Sequence, residues 1–139
     1  MKEDILKLLD ANNRKEDGIY IPQELDNYVN KLIKNSRIIA VQENGEFQGF
    51  ISYYKNDPEN KLGYLSMLLI NKESQSYGTG SFLLKTAIED LKKELFSVFQ
   101  LEVLKTNVKA INLYRKFGFK VIKENGDLLL MELELKSDD

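Results

Sequence analysis

The stretch Ile70-Asn-Lys-Glu-Ser-Gln-Ser-Tyr-Gly-Thr-Gly-Ser81 constrains this chain more than any other. It follows Tyr64-Leu-Ser-Met-Leu-Leu-Ile70, which reads as a buried strand, and it opens the amphipathic pattern Gly80 to Leu95. Gly78 and Gly80 bracket Thr79 where that helix begins. Backbone without side chains lets a bulky anion approach closely. A helix start offers unpaired N–H groups and the positive end of the helix dipole. Strand, glycine loop and helix start together form an anion cradle, most often for phosphate. The loop lacks the Lys of a GxxxxGK[ST] motif, because Gly80 is followed by Ser81 and Phe82. It lacks the third glycine of GxGxxG, because Leu83 stands there. What remains is Gln75-x-x-Gly78-x-Gly80, which by itself also describes an ordinary helix-start turn.

The chain around the loop has a readable order. Glu3 to Asp10 carries a short helical pattern, and Asn12 to Gly18 is polar and breaks it. Pro22 is placed to open a second helix, with Leu25, Tyr28 or Val29, Leu32 and Ile33 at helical spacing. Gly18-Ile-Tyr-Ile-Pro22 is too short and Pro-bounded to count as a strand. Three meander strands follow, Ile38–Gln42, Phe47–Tyr54 and Lys61–Ile70, with a tight hairpin at Asn44-Gly45 and a turn over Asn56–Asn60. The helix Gly80–Leu95 places Leu84, Ala87 or Ile88, Leu91 and Leu95 on one stripe. Then come a strand Ser97–Lys105, a short helix Asn107–Phe117 stopped by Gly118, and a closing hairpin around Asn125-Gly126. Strands mixed with covering helices predict an α/β three-layer arrangement with a partly antiparallel sheet.

Two zeros bound the chemistry. The chain has no Cys and no His, so Cys–His and Ser–His–Asp nucleophile systems and zinc sites built on those residues are ruled out. Acid–base work falls to carboxylates, Tyr, Lys or water. A net charge of −2 and a pI near 5.3 argue against nucleic acid as a partner. No apolar run is long enough for a signal peptide or a bilayer span, so the protein reads as cytoplasmic and not membrane-bound. At 139 residues it reads as a single domain, 1–139, with a loose tail over 136–139.

Downstream of the loop stand Leu101-Glu-Val103, Asn107, Ala110, Leu113-Tyr114 and Phe117-Gly118-Phe119. With Gln75-x-x-Gly78-x-Gly80 before them, these residues resemble the GNAT superfamily of acyl-CoA-dependent N-acyltransferases. The signature there is Q/R-x-x-G-x-G/A, then L-x-V-x-x-x-N-x-x-A-x-x-L-Y-x-x-x-G-F. The likeness covers roughly Ile38 to Leu135; a departure is Ser76, where the family often has Gly.

The resemblance implies a GNAT-like three-layer fold. Its sheet is mixed and mostly antiparallel, flanked by helices, with the strands Lys61–Ile70 and Ser97–Lys105 splayed apart. It implies acetyl-CoA as co-substrate and no metal. Backbone of Leu68, Leu69 and Ile70 would pair with the pantetheine arm as an added strand does. Gln75, Ser76, Tyr77, Gly78, Thr79, Gly80 and Ser81 would cradle the pyrophosphate. Asn107, Ala110 and Tyr114 share one helix face and would approach the thiol end, with Tyr114 as general acid toward the leaving thiolate. Ribosomal-protein alanine acetyltransferases, which this segment also resembles, use the Glu of L-E-V as base. That position is Glu102, acting directly or through water, although a Glu there also serves packing or solvation. Tyr20, Tyr28, the loop from Asn12 to Gly18, and Tyr64 are candidate acceptor contacts; Tyr28 reads first as a core residue. The expected activity is direct acetyl transfer to a primary amine, on a small molecule or a peptide. The alternative is a regulatory module that binds acetyl-CoA without catalysis. Monomer and homodimer both remain open.

Overall fold

The computed structural model describes residues 1–12, 24–57 and 59–136. Two helices, α1 (Lys2–Asn12) and α2 (Leu25–Asn35), precede three strands, β1 (Arg37–Glu43), β2 (Glu46–Tyr54) and β3 (Leu62–Ile70). A 3₁₀ turn over Lys72–Tyr77 leads into α3 (Thr79–Lys93). The chain closes with β4 (Val98–Leu104), α4 (Val108–Lys116), β5 (Lys120–Asn125) and β6 (Leu128–Glu134). Pro22 and Gly18 to Pro22 lie outside the described residues. Helix α2 starts at Leu25, with Glu24 at its N-cap.

The strands form one sheet in the order β1-β2-β3-β4-β6-β5. Every neighbouring pair is antiparallel except β3 and β4, which are parallel. The β1–β2 turn has Asn44 at φ 53° and Gly45 at φ 79°. Two positive-φ residues in succession match the right-handed twist of the flanking strands, and Asn-Gly adopts that pair at low cost.

Each face of the sheet has its own core. On one face Leu83, Leu84, Ala87, Ile88 and Leu91 of α3 and Ile111 and Tyr114 of α4 pack on Ile51, Tyr53, Leu65, Phe99, Leu101 and Val103. On the other, Ile5 and Leu9 of α1 and Val29 and Leu32 of α2 pack on Phe50 and Leu69. The apolar stripe of α3 ends earlier than its spacing suggests. Leu95 is 68% exposed with φ 63°, and Phe96 is buried in its place. The left-handed residue stops the helix and reverses which neighbour faces the core.

The β3–β4 pairing is short. It joins Leu62–Leu65 to Val98–Leu101 and stops at Leu65↔Leu101. The β2–β3 register shifts at that level, with Ser52 opposite Met67 and Tyr53 opposite Leu65. Ser66 is therefore an extra residue in β3. A bulge bends its strand and raises local twist, which turns Ser66–Ile70 away from Glu102–Leu104.

A polar network ties α3 to the outer strands. The Tyr53 hydroxyl donates to Asp90 Oδ2 at 2.6 Å. Lys55 Nζ donates to the same oxygen at 3.1 Å and also pairs with Glu94, and Arg37 Nε lies 3.5 Å from Asp90 Oδ2. Burial by itself would raise the Asp90 pKa. The hydrogen bonds from Tyr53 and Lys55 and the charges of Lys55 and Arg37 outweigh it and hold the carboxyl below its usual value. A depressed pKa adds stability that is present above the unfolded carboxyl's pKa and is lost as pH falls through the folded value. Asp90→Asn should therefore cost about 1–2 kcal/mol at pH 7. The cost should shrink as pH drops below ~4, read by urea unfolding across that range.

Candidate active site

The gap between β3 and β4 gathers the sequence candidates. On the β3 side, Leu68, Leu69 and Ile70 pair with Ile51, Phe50 and Gly49 of β2, and among the described residues no strand partners them on the side that faces β4. Their outward N–H and C=O groups are placed to meet an amide-bearing chain. The Ile70 carbonyl is already engaged, accepting from Gln75 Nε2 at 3.2 Å.

The loop after β3 is anchored before it reaches the glycines. Asn71 N–H donates to the Gln48 carbonyl at 2.8 Å, and the buried Ser74 hydroxyl donates to Gln48 Oε1. Gly78 is the N-cap of α3, at φ 77° in the left-handed region, and no side chain among the described residues caps the helix. The first intrahelical bond runs from Phe82 N–H to the Gly78 carbonyl at 3.0 Å. The N–H groups upstream, through Thr79, Gly80 and Ser81, are those that a helix start leaves without intrahelical acceptors. The two glycines serve different ends. Gly78 supplies the positive φ. Gly80 stands close to the throat, where an added Cβ would meet Leu113 Cδ2 at 3.6 Å and Ile70 Cγ1 at 3.7 Å. Ser76 and Tyr77 fall in the 3₁₀ turn, and their side chains are outside the described residues.

Asn107 is the N-cap of α4, its Oδ1 accepting from Ala110 N–H at 3.3 Å. Its Nδ2 group has no partner among the described residues. Ala110 is half-buried on the same helix face. Tyr114 is 6% exposed, its ring 5.7 Å from that of Phe119. Its hydroxyl has no hydrogen-bond partner among the described residues. Among those residues Ser52 Oγ is the only fully buried side-chain polar atom without a partner. Burial raises the Tyr114 pKa well above the usual 10, which keeps the phenol protonated.

Glu102 stands just past the last β3–β4 pair. Its neighbours Leu101 and Val103 belong to the core that contains Tyr114, so strand alternation turns Glu102 to the opposite face. There it accepts a hydrogen bond from the Tyr64 hydroxyl at 3.2 Å. The Tyr64 pKa is pushed up to about 12 by burial first, then by the Glu102 charge and that hydrogen bond. Tyr28 and Tyr54 also act electrostatically on Tyr64. The Tyr28 hydroxyl shares a 3.2 Å hydrogen bond with Ser66 Oγ, and burial raises its pKa. Tyr28 also packs against the core under α1 and α2, so it is both a packing residue and a lining one. Tyr20 and the loop from residue 13 to 18 lie outside the described residues.

Sequence reasoning missed Ser66, Tyr54 and Lys109. Ser66 carried a signal, a lone polar residue in the apolar run Leu65–Ile70. Lys109 had none; only the fold brings its Nζ to 2.6 Å from Gln75 Oε1. Among the described residues no cluster of carboxylates that could hold a metal ion occurs, and no helix is long and apolar enough to cross a membrane.

The fold and site define a class of protein, and comparison with known proteins identifies it. Residues 2–119 match the acetyltransferase (GNAT) family, and the chain belongs to that family. A probable spermine N(1)-acetyltransferase from Bacillus subtilis subsp. natto is 32% identical over 97 residues, 65% of this chain and 61% of that protein. The matched segment thus spans less than two thirds of that relative. Among solved structures, the ribosomal-protein alanine N-acetyltransferase of Escherichia coli superposes with a TM-score of 0.80 at 17% identity, covering 99% of this chain and 90% of that one. The PaiA N-acetyltransferase of Thermoplasma acidophilum, solved in complex with coenzyme A, gives 0.77 at 21% identity, covering 96% and 92%. These two likenesses show the fold.

Gly78→Ala places a Cβ in open space but at a φ that L-residues disfavour. It should cost ~1–2 kcal/mol. Gly80→Ala makes only ordinary contacts and should leave the melting temperature within about 2 °C, since shifts of several degrees attend about 1 kcal/mol. Thermal unfolding of the two variants reads the difference.

Proposed function

We propose that this chain transfers an acetyl group from acetyl-CoA to a primary amine by direct attack in a ternary complex. The observation that carries this reading is the passage through the sheet beyond Leu65↔Leu101. Tyr114 belongs to one face of it and Glu102 to the other. A thioester arm entering from the α3–α4 face would lie along the free edge of β3, its phosphates at the start of α3. An amine entering from the Tyr64 face would approach the thioester carbon from the opposite side.

The chemistry follows from those positions. An alkylammonium must lose a proton before it attacks, and Glu102 accepts it directly or through water. The amine nitrogen bonds to the thioester carbonyl carbon, and the resulting intermediate collapses with cleavage of the C–S bond. The electron pair leaves with sulfur, and Tyr114 donates its hydrogen bond, then its proton, to the thiolate. Burial suits the phenol to this role by keeping its proton in place. The same shift weakens it as an acid, so transfer completes only as charge builds on the sulfur.

The acceptor face favours a cation. The Tyr64 hydroxyl donates to the Glu102 carboxylate, Tyr28 and Tyr54 act electrostatically on Tyr64, and phenol rings with a carboxylate attract alkylammonium groups. The Bacillus relative is named for spermine, and a flexible polyamine fits this chemistry.

The test is an acceptor panel of spermine, spermidine, a peptide N-terminus and an amino sugar, read with a thiol-reactive dye. The chain has no Cys, so the dye reports only released CoA. Acceptor-dependent release supports the enzyme. CoA binding without release for any acceptor would favour a regulatory module. Tyr114→Phe keeps the ring and removes the hydroxyl. It should lower kcat about 10- to 1000-fold and change acetyl-CoA affinity by less than about threefold. Glu102→Gln should be partly rescued as pH rises and more acceptor is already neutral, and Tyr114→Phe should not. An unchanged kcat in Tyr114→Phe would remove the acid role.

A further inference from the structure

Gln75 spans the mouth of the gap. Its Nε2 donates to the carbonyl of Ile70, the last residue of β3, at 3.2 Å. Its Oε1 accepts from Lys109 Nζ, in the first turn of α4, at 2.6 Å. One side chain therefore bridges the two walls that hold the passage open, beside the start of α3.

The polarity of this bridge matters. A side-chain amide with its N–H turned to the main chain presents its oxygen outward, and an acceptor oxygen gains nothing from an anion. Gln75 is thus a poor phosphate ligand as placed. Lys109 is the opposite case. Its ammonium has three donors, and Gln75 Oε1 is its one hydrogen-bond partner among the described residues. No carboxylate there lies within ion-pair distance of it. It is exposed. It also sits in the first turn of α4, which contains no acidic residue, where the helix dipole disfavours a cation. A cation so placed lacks a negative partner, and the cradle at the start of α3 lacks a positive side chain.

We propose that Lys109 is the movable cation of the phosphate end of the cofactor site. Gln75 is its positioning residue, holding Lys109 across the mouth until a phosphate replaces the amide oxygen. The inference rests on acetyl-CoA as the co-substrate. Binding would exchange a hydrogen bond to a neutral amide for charge-assisted bonds to phosphate. No covalent change is involved.

The experiment titrates CoA into wild type, Lys109→Met, Lys109→Arg and Gln75→Ala by calorimetry at low and high salt. Steady-state kinetics with acetyl-CoA and with acetyl-pantetheine, which lacks the nucleotide phosphates, run alongside. Lys109→Met should weaken CoA roughly 5- to 30-fold at low salt. The deficit should narrow at high salt, where exposed charges are screened. Lys109→Arg should recover most of the loss. Gln75→Ala should weaken CoA less than Lys109→Met does. In Lys109→Met and Lys109→Arg the turnover of acetyl-pantetheine should stay within about twofold of wild type, because that substrate carries none of the phosphates Lys109 would bind. Undiminished CoA affinity in Lys109→Met would overturn the proposal. So would a loss that salt does not narrow, or an equal loss with acetyl-pantetheine, since either marks a structural role. Absence of CoA binding to wild type would instead overturn the acetyl-CoA reading, and the inference with it.

Discussion

The parallel contact between β3 and β4 is the constraint on which the rest depends. Among the described residues it is the one place where the backbone of β1 to β3 pairs with the backbone of the other three strands. Full pairing would give a sealed sheet with no passage. Without any pairing the two halves would have only side chains between them. The structure takes an intermediate course, four residue pairs from Leu62↔Val98 to Leu65↔Leu101. The stop is built into β3 by the extra residue Ser66. Beneath the gap, α3 and α4 keep the halves together by packing Leu83, Leu84 and Ile111 in a core shared with Leu65, Leu101 and Val103. Removal of backbone pairing is tolerated there because buried apolar area replaces it.

Much of this was legible in residue order, and the reasons are local. Hairpin turns are chosen by adjacent residues, so Asn44-Gly45 marked the β1–β2 connection. Helix faces follow from spacing, so the stripe from Leu84 to Leu91 and the face shared by Asn107, Ala110 and Tyr114 could be drawn in advance. The splayed strands followed from family resemblance, not from periodicity. The break at Leu95 was not legible, because a left-handed residue between two apolar ones leaves the pattern intact while moving the buried position to Phe96. The contact from Tyr64 to Glu102 was not legible either. It spans 38 positions and depends on strand order and register together.

Register also assigned the faces. A spacing of twelve residues between Glu102 and Tyr114 is compatible with both side chains on one side of the sheet. The flanking residues settle the matter. Leu101 and Val103 are buried with Tyr114, and Glu102 lies with Tyr64. The two candidate groups therefore lie on different faces of the sheet, and in the reaction proposed they would address the thioester carbon from opposite sides. In that reaction the arrangement would separate the proton that must leave the amine from the one that must reach the sulfur. Two titratable groups in direct contact would perturb each other's pKa values. The split sheet gives Glu102 a phenol donor and an exposed position, and gives Tyr114 a nearly apolar surround.

The same gap accounts for why an amide-rich arm is the natural occupant. Opening a sheet leaves main-chain groups without partners, and such groups are costly when they are not satisfied. From Met67 to Ile70 one edge of β3 is paired with β2 and, among the described residues, the other has no strand partner. Gln75 takes the Ile70 carbonyl, which closes the outer end of the edge and leaves the inner groups for a ligand. A chain that brings its own N–H and C=O groups at strand-like spacing completes the sheet without displacing any protein contact. The ordering of the walls is met on folding, by the buried cores on either face, so binding has little left to organise. In the function proposed, such a split would accept one class of arm and leave the acceptor to the far side, where Tyr64 and Tyr28 also brace the gap, Tyr64 through Glu102 and Tyr28 through Ser66.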